Sequence, residues 1–253
     1  MDNGLPIVAA SGLDFEATAA RGFGIEVVSG LNRRKFLRGL LAHVQKGARG
    51  IISFGVAGGL LPDLVAGQVV VASRVHTASG SFQTCGAWSA SLLSAIPHAK
   101  HLPVFGVTEP VLTPSEKAAI FRETGSVTVD LESRDVAEVA THYGLPFTVL
   151  RAVADPAHRA IPLSAFSGVD EQGRTCALAA LKALAQRPQD VPTMILIACD
   201  GLKANLALRR ARGELGPLFG LYAGNVASPG ADEALAEPAP ADSSVIASNT
   251  GVR

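Results

Sequence analysis

Cysteine is scarce in this chain: Cys85, Cys176 and Cys199 lie far apart among 253 residues. They form no C-x-x-C pair and no disulfide framework, so a reducing compartment is the simpler expectation. Charge of one sign is also lacking. The formal net charge is +0 and the pI about 7.0, without the basic excess that marks a nucleic-acid binder. No nucleic-acid partner is expected. No segment reaches the roughly 18 uninterrupted apolar residues of a membrane span. The apolar residues 5–10 are too short for a signal-peptide core and have no basic flank, so a soluble cytoplasmic protein is expected. The histidines show no H-E-x-x-H spacing, and no metal is predicted. There is neither a Walker lysine nor a G-x-G-x-x-G, so both nucleotide-phosphate motifs are excluded. No internal repeat is visible.

Hydrophobic residues make up 48% of the chain, ample for one well-covered core. The stretch that organises the reading is Ile51-Ile52-Ser53-Phe54-Gly55-Val56-Ala57-Gly58-Gly59-Leu60. Its apolar run has the length of a strand buried on both faces. Gly55, Gly58 and Gly59 then predict a turn in which the backbone can approach a ligand. In an open α/β sheet, ligands sit beyond the carboxyl ends of the strands.

Strands are predicted at residues 5–10, 24–28, 68–72, 104–107, 127–129 and 146–154. Helices are predicted at 13–21, from the Asn32 cap through Val44, at 89–96, 114–122, 133–143, 173–186 and 191–212. Residues 77–86 read as a polar loop. The exposed face of the second helix carries Arg33, Arg34, Lys35, Arg38 and Lys46, a solvated face or an anion site. Strand and helix alternate through the first 186 residues, which argues for an α/β fold: helices on both sides of a central, mostly parallel sheet. One domain is expected over residues 1–222, with a core at 5–186 and C-terminal helices at 190–222. From about residue 223 the composition turns to Ala, Pro, Ser and Asp and predicts a disordered tail.

Three acids stand at strand ends: Glu16 after the first strand, Glu132 after residues 127–129, and Asp155 after residues 146–154. Each alone is a favourable helix-start or turn residue. Parallel strands would bring them to one edge near Gly58. Such a trio can cleave a glycosidic bond, one acid assisting the leaving group, one handling water and one holding sugar hydroxyls. Arg151, inside an apolar strand, needs a partner, and Asp130 or Glu132 is the obvious one.

These segments resemble the purine nucleoside phosphorylases and the methylthioadenosine/S-adenosylhomocysteine nucleosidases. The resemblance rests on residues 54–71, on Val129-Asp130-Leu131-Glu132, on Arg151-Ala152-Val153-Ala154-Asp155 and on Ser11-Gly12-Leu13-Asp14-Phe15-Glu16. R-A-V-A-D-P, V-D-L-E-S and the arginine-rich segment 203–212 look most like the hopanoid-associated branch. That branch is linked to removing adenine from adenosylhopane in bacteriohopanepolyol synthesis.

The resemblance implies a three-layer phosphorylase/hydrolase-like fold with a mixed, mostly parallel sheet. It implies Asp155 and Glu16 as catalytic groups, the first at N7 of the leaving purine and the second at the attacking water. Glu132 would bind ribose with Leu131 packed on the sugar. Ala57, Gly58, Val111 and Leu112 would line the base, and Arg151 would support the site. It also implies a homodimer and no cofactor. Val56 and Ala154 stand where the family has serines, and residues 74–101 do not match the nucleosidase lid. The expected substrate is therefore an adenine nucleoside with a bulky 5′ lipid substituent. Hydrolysis is preferred; phosphate as co-substrate, held by Arg21, Arg33 or Arg34, is the alternative. A methylthioadenosine/S-adenosylhomocysteine nucleosidase and a non-catalytic nucleoside-binding protein are the other readings. Leu202, Leu206, Leu208, Leu218 and Phe219, with Lys203, Arg209, Arg210 and Arg212, are a candidate peripheral contact with the inner membrane face.

Overall fold

The computed structural model describes residues 4–162, 165, 170–174 and 185–221. The helix expected over residues 173–186, apart from its ends, and the expected tail at 223–253 lie outside the described residues, as does Cys176. Eight strands form one sheet: β1 (Ile7–Ser11), β2 (Ile25–Ser29), β3 (Gly50–Gly59), β4 (Val69–Thr77), β5 (Gly80–Gln83), β6 (Lys100–Gly106), β7 (Thr128–Asp130) and β8 (Phe147–Asp155). The helices are α1 (Asp14–Ala20), α2 (Arg33–Lys46), α3 (Gly86–Ala95), α4 (Pro114–Thr124), α5 (Ser133–His142) and α6 (Val191–Glu214).

The sheet is mixed and mostly parallel, as expected. β3 runs parallel to β1 and β8, β8 antiparallel to β4, β4 parallel to β6, and β6 parallel to β7. β7 returns antiparallel to the last two residues of β3, pairing Val129 with Gly58 and Thr128 with Gly59. The strands β3, β8, β4, β6 and β7 therefore close into a ring, with β2 and β1 continuing from β3. Successive strand residues face opposite sides, and both sides are covered. Val8, Ala10 and Ile51 meet Phe36, Leu40 and Val44 of α2 and Val136 and Ala140 of α5. Ile7, Ala9 and Ile52 meet Trp88 and Leu92 of α3 and Ala204, Leu208 and Ala211 of α6. This is the three-layer arrangement of helix, sheet and helix.

Local chemistry sets the helix starts. The Asn32 side chain accepts from Lys35 N to open α2. Thr113 and Glu116 form a reciprocal capping box around Pro114 at the start of α4. Two expectations need correction. Residues 80–83 are a strand, hairpinned onto β4, rather than loop; as an edge strand it carries mostly exposed residues, which is why its sequence reads as polar. The glycines at 55, 58 and 59 do not turn the chain, because β3 continues through them to Gly59.

α6 is long and apolar enough, at a mean hydropathy of 1.4, to pass for a membrane span by length and composition. It packs on β8 instead, with Asp200 on its buried side.

Candidate active site

Glu16, Glu132 and Asp155 line one cavity of about 260 Å³, together with Asp130, Leu131, Ala57, Gly58 and Val111. Leu13, Leu31, Val56, Val107, Pro110, Val129 and Ile161 make most of the remaining wall. It is an apolar pocket with a few convergent polar groups, the usual build of a small-molecule site. Leu112 is not part of the wall. Its N–H donates to Glu116 and its carbonyl accepts from Ile161, so it ties down the loop behind Val111.

The acids meet for a different reason than a shared parallel edge. β1 and β8 do run parallel to β3 and deliver Glu16 and Asp155 to its carboxyl end. β7 runs the other way, starting opposite Gly59, the last residue of β3, and descending beside Gly58. Glu132 therefore reaches the cavity because β7 is short and overlaps β3 by two residue pairs. At the Asp155 end, the register of β3 against β8 slips between Ala57 and Gly58, so that Gly58 stands opposite Asp155 rather than Ala154. A bulge of this kind re-aims a side chain at the end of a strand.

The glycines of β3 are required by close approach. A Cβ on Gly55 would lie 2.7 Å from both Arg151 Nη1 and Glu16 Oε1. One on Gly58 would lie 3.0 Å from Asp155 Oδ2. A Cβ on Gly12 would strike Glu132 Oε1.

Glu16 sits in the first turn of α1 and is 2% exposed. Its Oε2 accepts from the backbone N–H of Gly12 at 2.9 Å and Leu13 at 2.8 Å, and its Oε1 from Val56 at 2.7 Å. Burial raises its pKa above the ordinary carboxyl range, against the pull of Arg151 and of these three N–H groups.

Arg151 is wholly buried beneath the cavity floor. Its Nη2 donates to Ser53 Oγ at 2.6 Å, Asp130 Oδ1 at 2.7 Å and Glu132 Oε2 at 3.2 Å. Both expected partners are thus engaged. Asp130 also accepts from Ser133 N at 2.7 Å and Ser133 Oγ at 2.6 Å, which fixes the start of α5. Of the two acids bonded to this guanidinium, Glu132 has the longer contact, and Glu16 lies close by. Burial, with Glu16 and Asp130 nearby, pushes the Glu132 pKa up to about 8 against the pull of Arg151. At this end of the cavity several carboxyls share one guanidinium.

Asp155 is 9% exposed and ends β8. Its Oδ2 accepts from Lys117 Nζ at 2.6 Å. Burial raises the Asp155 pKa, while Lys117 pulls it down. Lys117 is the functional residue that reading the sequence misses. It lies in P-S-E-K, which reads as the polar start of a helix, yet it is the single buried residue of α4. The available signal is weak: Lys117 stands one turn before Phe121, the largest apolar side chain of the helix.

The arginines considered for phosphate do not line the cavity. Arg33 is held by Asp135 through Nε at 2.9 Å and Nη2 at 2.7 Å, and Arg21 and Arg34 are exposed. Arg159 pairs with Asp200 at 2.7 Å, and His158 is exposed. Among the described residues the cavity wall holds four acids and no lysine or arginine.

A search of curated protein sequences finds no match. Solved structures do match. The 5′-methylthioadenosine/S-adenosylhomocysteine nucleosidase of Helicobacter pylori, complexed with a pyrrolidinol carrying an aminopyrrolopyrimidine, aligns at TM-score 0.58 and 16% identity over 84% of this chain and 100% of its own. The same-named nucleosidase of Neisseria meningitidis, in complex with methylthio-immucillin-A, aligns at 0.57 and 17% identity over 82% of this chain and 98% of its own. The futalosine hydrolase of Helicobacter pylori aligns at 0.55 and 17% identity over 72% of this chain and 98% of its own. At these identities the likeness is one of fold. Residues 32–186, more than half the chain, match the Phosphorylase superfamily. The chain belongs to that superfamily.

Proposed function

We propose that the protein is a nucleosidase that cleaves the N-glycosidic bond of an adenine nucleoside with water as nucleophile. The observation that carries this reading is the meeting of Glu16, Glu132 and Asp155 around one cavity. Family membership and the nucleosidases and futalosine hydrolase among the fold neighbours support it. In the proposed mechanism the C1′–N9 bond breaks as the sugar takes on cationic, oxocarbenium character. The carboxyls gathered around the single guanidinium of Arg151 then favour the cationic transition state over the neutral substrate. Glu16 takes the proton of the attacking water. Its raised pKa makes it a stronger base than an ordinary carboxylate, and three backbone N–H groups fix its orientation. Glu132 binds the ribose hydroxyls and Leu131 packs on the sugar. Ala57, Gly58 and Val111 line the base, and Asp155 bonds N7 as adenine leaves.

The preferred substrate is adenosylhopane, placing the enzyme in hopanoid synthesis. The likeness of the V-D-L-E-S and R-A-V-A-D-P segments to the hopanoid branch supports that substrate, and the apolar wall of Leu13, Leu31, Val107, Pro110 and Ile161 suits an apolar substituent. A methylthioadenosine/S-adenosylhomocysteine nucleosidase is the second reading, favoured by the fold neighbours of that name. The absence of a cation from the described cavity wall favours hydrolysis over phosphorolysis.

A cytoplasmic enzyme in peripheral contact with the inner membrane face belongs to the same proposal. Ile195, Cys199, Leu202 and Leu206 form an exposed stripe on α6, ending at Arg209 and Arg210. Leu208 and Phe219, candidates for that contact, are buried in the domain. Vesicle co-sedimentation unchanged by Leu202→Ser with Leu206→Ser contradicts the membrane contact, and light scattering tests the proposed homodimer.

The reading is tested by incubating the purified protein with adenosylhopane, 5′-methylthioadenosine and adenosine and identifying the products by mass. Adenine released fastest from adenosylhopane is expected. Release from 5′-methylthioadenosine alone selects the second reading, and release from none removes the enzymatic one.

A further inference from the structure

α4 is an exposed helix held to the domain by one wholly buried side chain, and that side chain is a lysine. An apolar residue would anchor a helix without the loss of hydration that a buried ammonium suffers. The Lys117 ammonium has its hydration replaced. Nζ donates to Asp155 Oδ2 at 2.6 Å and to the carbonyls of Asp155 at 3.3 Å, Pro156 at 3.1 Å and Arg159 at 3.0 Å. Four acceptors surround three N–H bonds. Asp155 is thereby held from behind through Oδ2, while its Oδ1 accepts no hydrogen bond among the described residues. The carboxyl lines the cavity.

Resting on the nucleosidase reading above, we propose that Lys117 is a positioning residue that supplies, through Asp155, the proton taken up by the departing adenine. The step starts from the ammonium–carboxylate form of the pair, with Nζ–H donating to Oδ2. When the C1′–N9 bond breaks, its electron pair goes to the purine, whose N7 becomes strongly basic. One proton moves from Lys117 Nζ to Asp155 Oδ2, the protonated carboxyl turns about Cβ–Cγ, and the same oxygen then delivers that proton to N7. The Nζ–H bond breaks and the N7–H bond forms. Lys117 ends as a neutral amine, Asp155 as the carboxylate and adenine as its neutral N7–H form. Water supplies the oxygen bonded to C1′, Glu16 takes the water's proton, and solvent reprotonates Lys117 after product release.

Lys117→Met removes the proton and the charge. Lys117→Arg keeps a charge and donors but has no proton to give up at any working pH. With the adenine nucleoside the wild type cleaves fastest, both variants are expected to lose about 100-fold or more in kcat, the size of a general-acid contribution. KM and inhibition by free adenine stay as in the wild type. Wild-type kcat in Lys117→Arg overturns the proposal, because charge alone then suffices. Loss of adenine inhibition in step with kcat in both variants also overturns it, since the lysine is then merely structural. A wild type that frees no adenine from any adenine nucleoside removes the nucleosidase reading itself, which the variants cannot do.

Discussion

The two ends of the cavity bury charge in different ways. At one, a single guanidinium is shared among Asp130, Glu132 and, by proximity, Glu16. At the other, one ammonium serves one carboxylate, and backbone carbonyls take up its remaining N–H bonds. At the first end one cation is shared among several carboxyls, and at the second the pairing is one to one. A sugar that turns cationic belongs beside the first. A base that must gain a proton belongs beside the second. The contrast orders the consequences of substitution.

The largest effect is expected at Arg151. Arg151→Met leaves a cluster of buried acids with no counter-charge; breaking a buried pair costs about 3–5 kcal/mol, and here more than one partner is stranded. Denaturant unfolding should show a loss at least that large, and larger than for Lys117→Met. Equal losses would remove the distinction between the two ends.

Next come the reacting acids. Asp155→Asn and Glu16→Gln should each lower kcat by about 100-fold or more with the fold intact, since each removes a proton-transfer group. A steady-state assay with circular dichroism checks both.

Glu132 gives an effect of opposite sign in stability and in binding. Its folded pKa of about 8 lies above the ordinary 4.5 of a free carboxyl, so the native state holds a proton that the unfolded chain releases. Its contribution to stability is complete below pH 4.5 and is lost as pH rises through about 8. The thermal midpoint should fall across that window, and Glu132→Gln should flatten the fall. A cationic pyrrolidine analogue of the sugar should bind about 100-fold or more tighter than a neutral adenine nucleoside, as transition-state analogues do. Its binding releases the Glu132 proton, so its affinity should rise with pH toward 8. Calorimetry in buffers of different ionisation enthalpy reads the proton release directly.

The smallest effect belongs to the helix that carries Lys117. Thr113→Ala removes the α4 cap and should cost about 1 kcal/mol. Because α4 brings Lys117 to Asp155, the loss of kcat should exceed the loss of inhibition by free adenine.

Much of this was legible in the sequence where local chemistry decides. The Asn32 cap, Pro114 at the start of α4 and the apolar β3 and β8 follow from propensity and pattern. Arg151 declared itself as the one charge in an apolar strand, and its need for a partner named Asp130 and Glu132. Other features are set by tertiary approach. Gly55 and Gly58 read equally well as a turn or as room for another side chain, and only the approach of Arg151, Glu16 and Asp155 selects the second. Glu132 was placed for the wrong reason, because strand direction within a closed ring is not written in any one strand. Lys117 stayed hidden because its carboxylate partner lies 38 residues away.

The central claim is that water attacks an adenine nucleoside inside an acid-lined cavity. It is tested most directly by weighing the products of one reaction run with and without phosphate. Adenine and the free sugar in both, at the same rate, is the predicted result. A sugar phosphate, or adenine that forms only when phosphate is added, would contradict it.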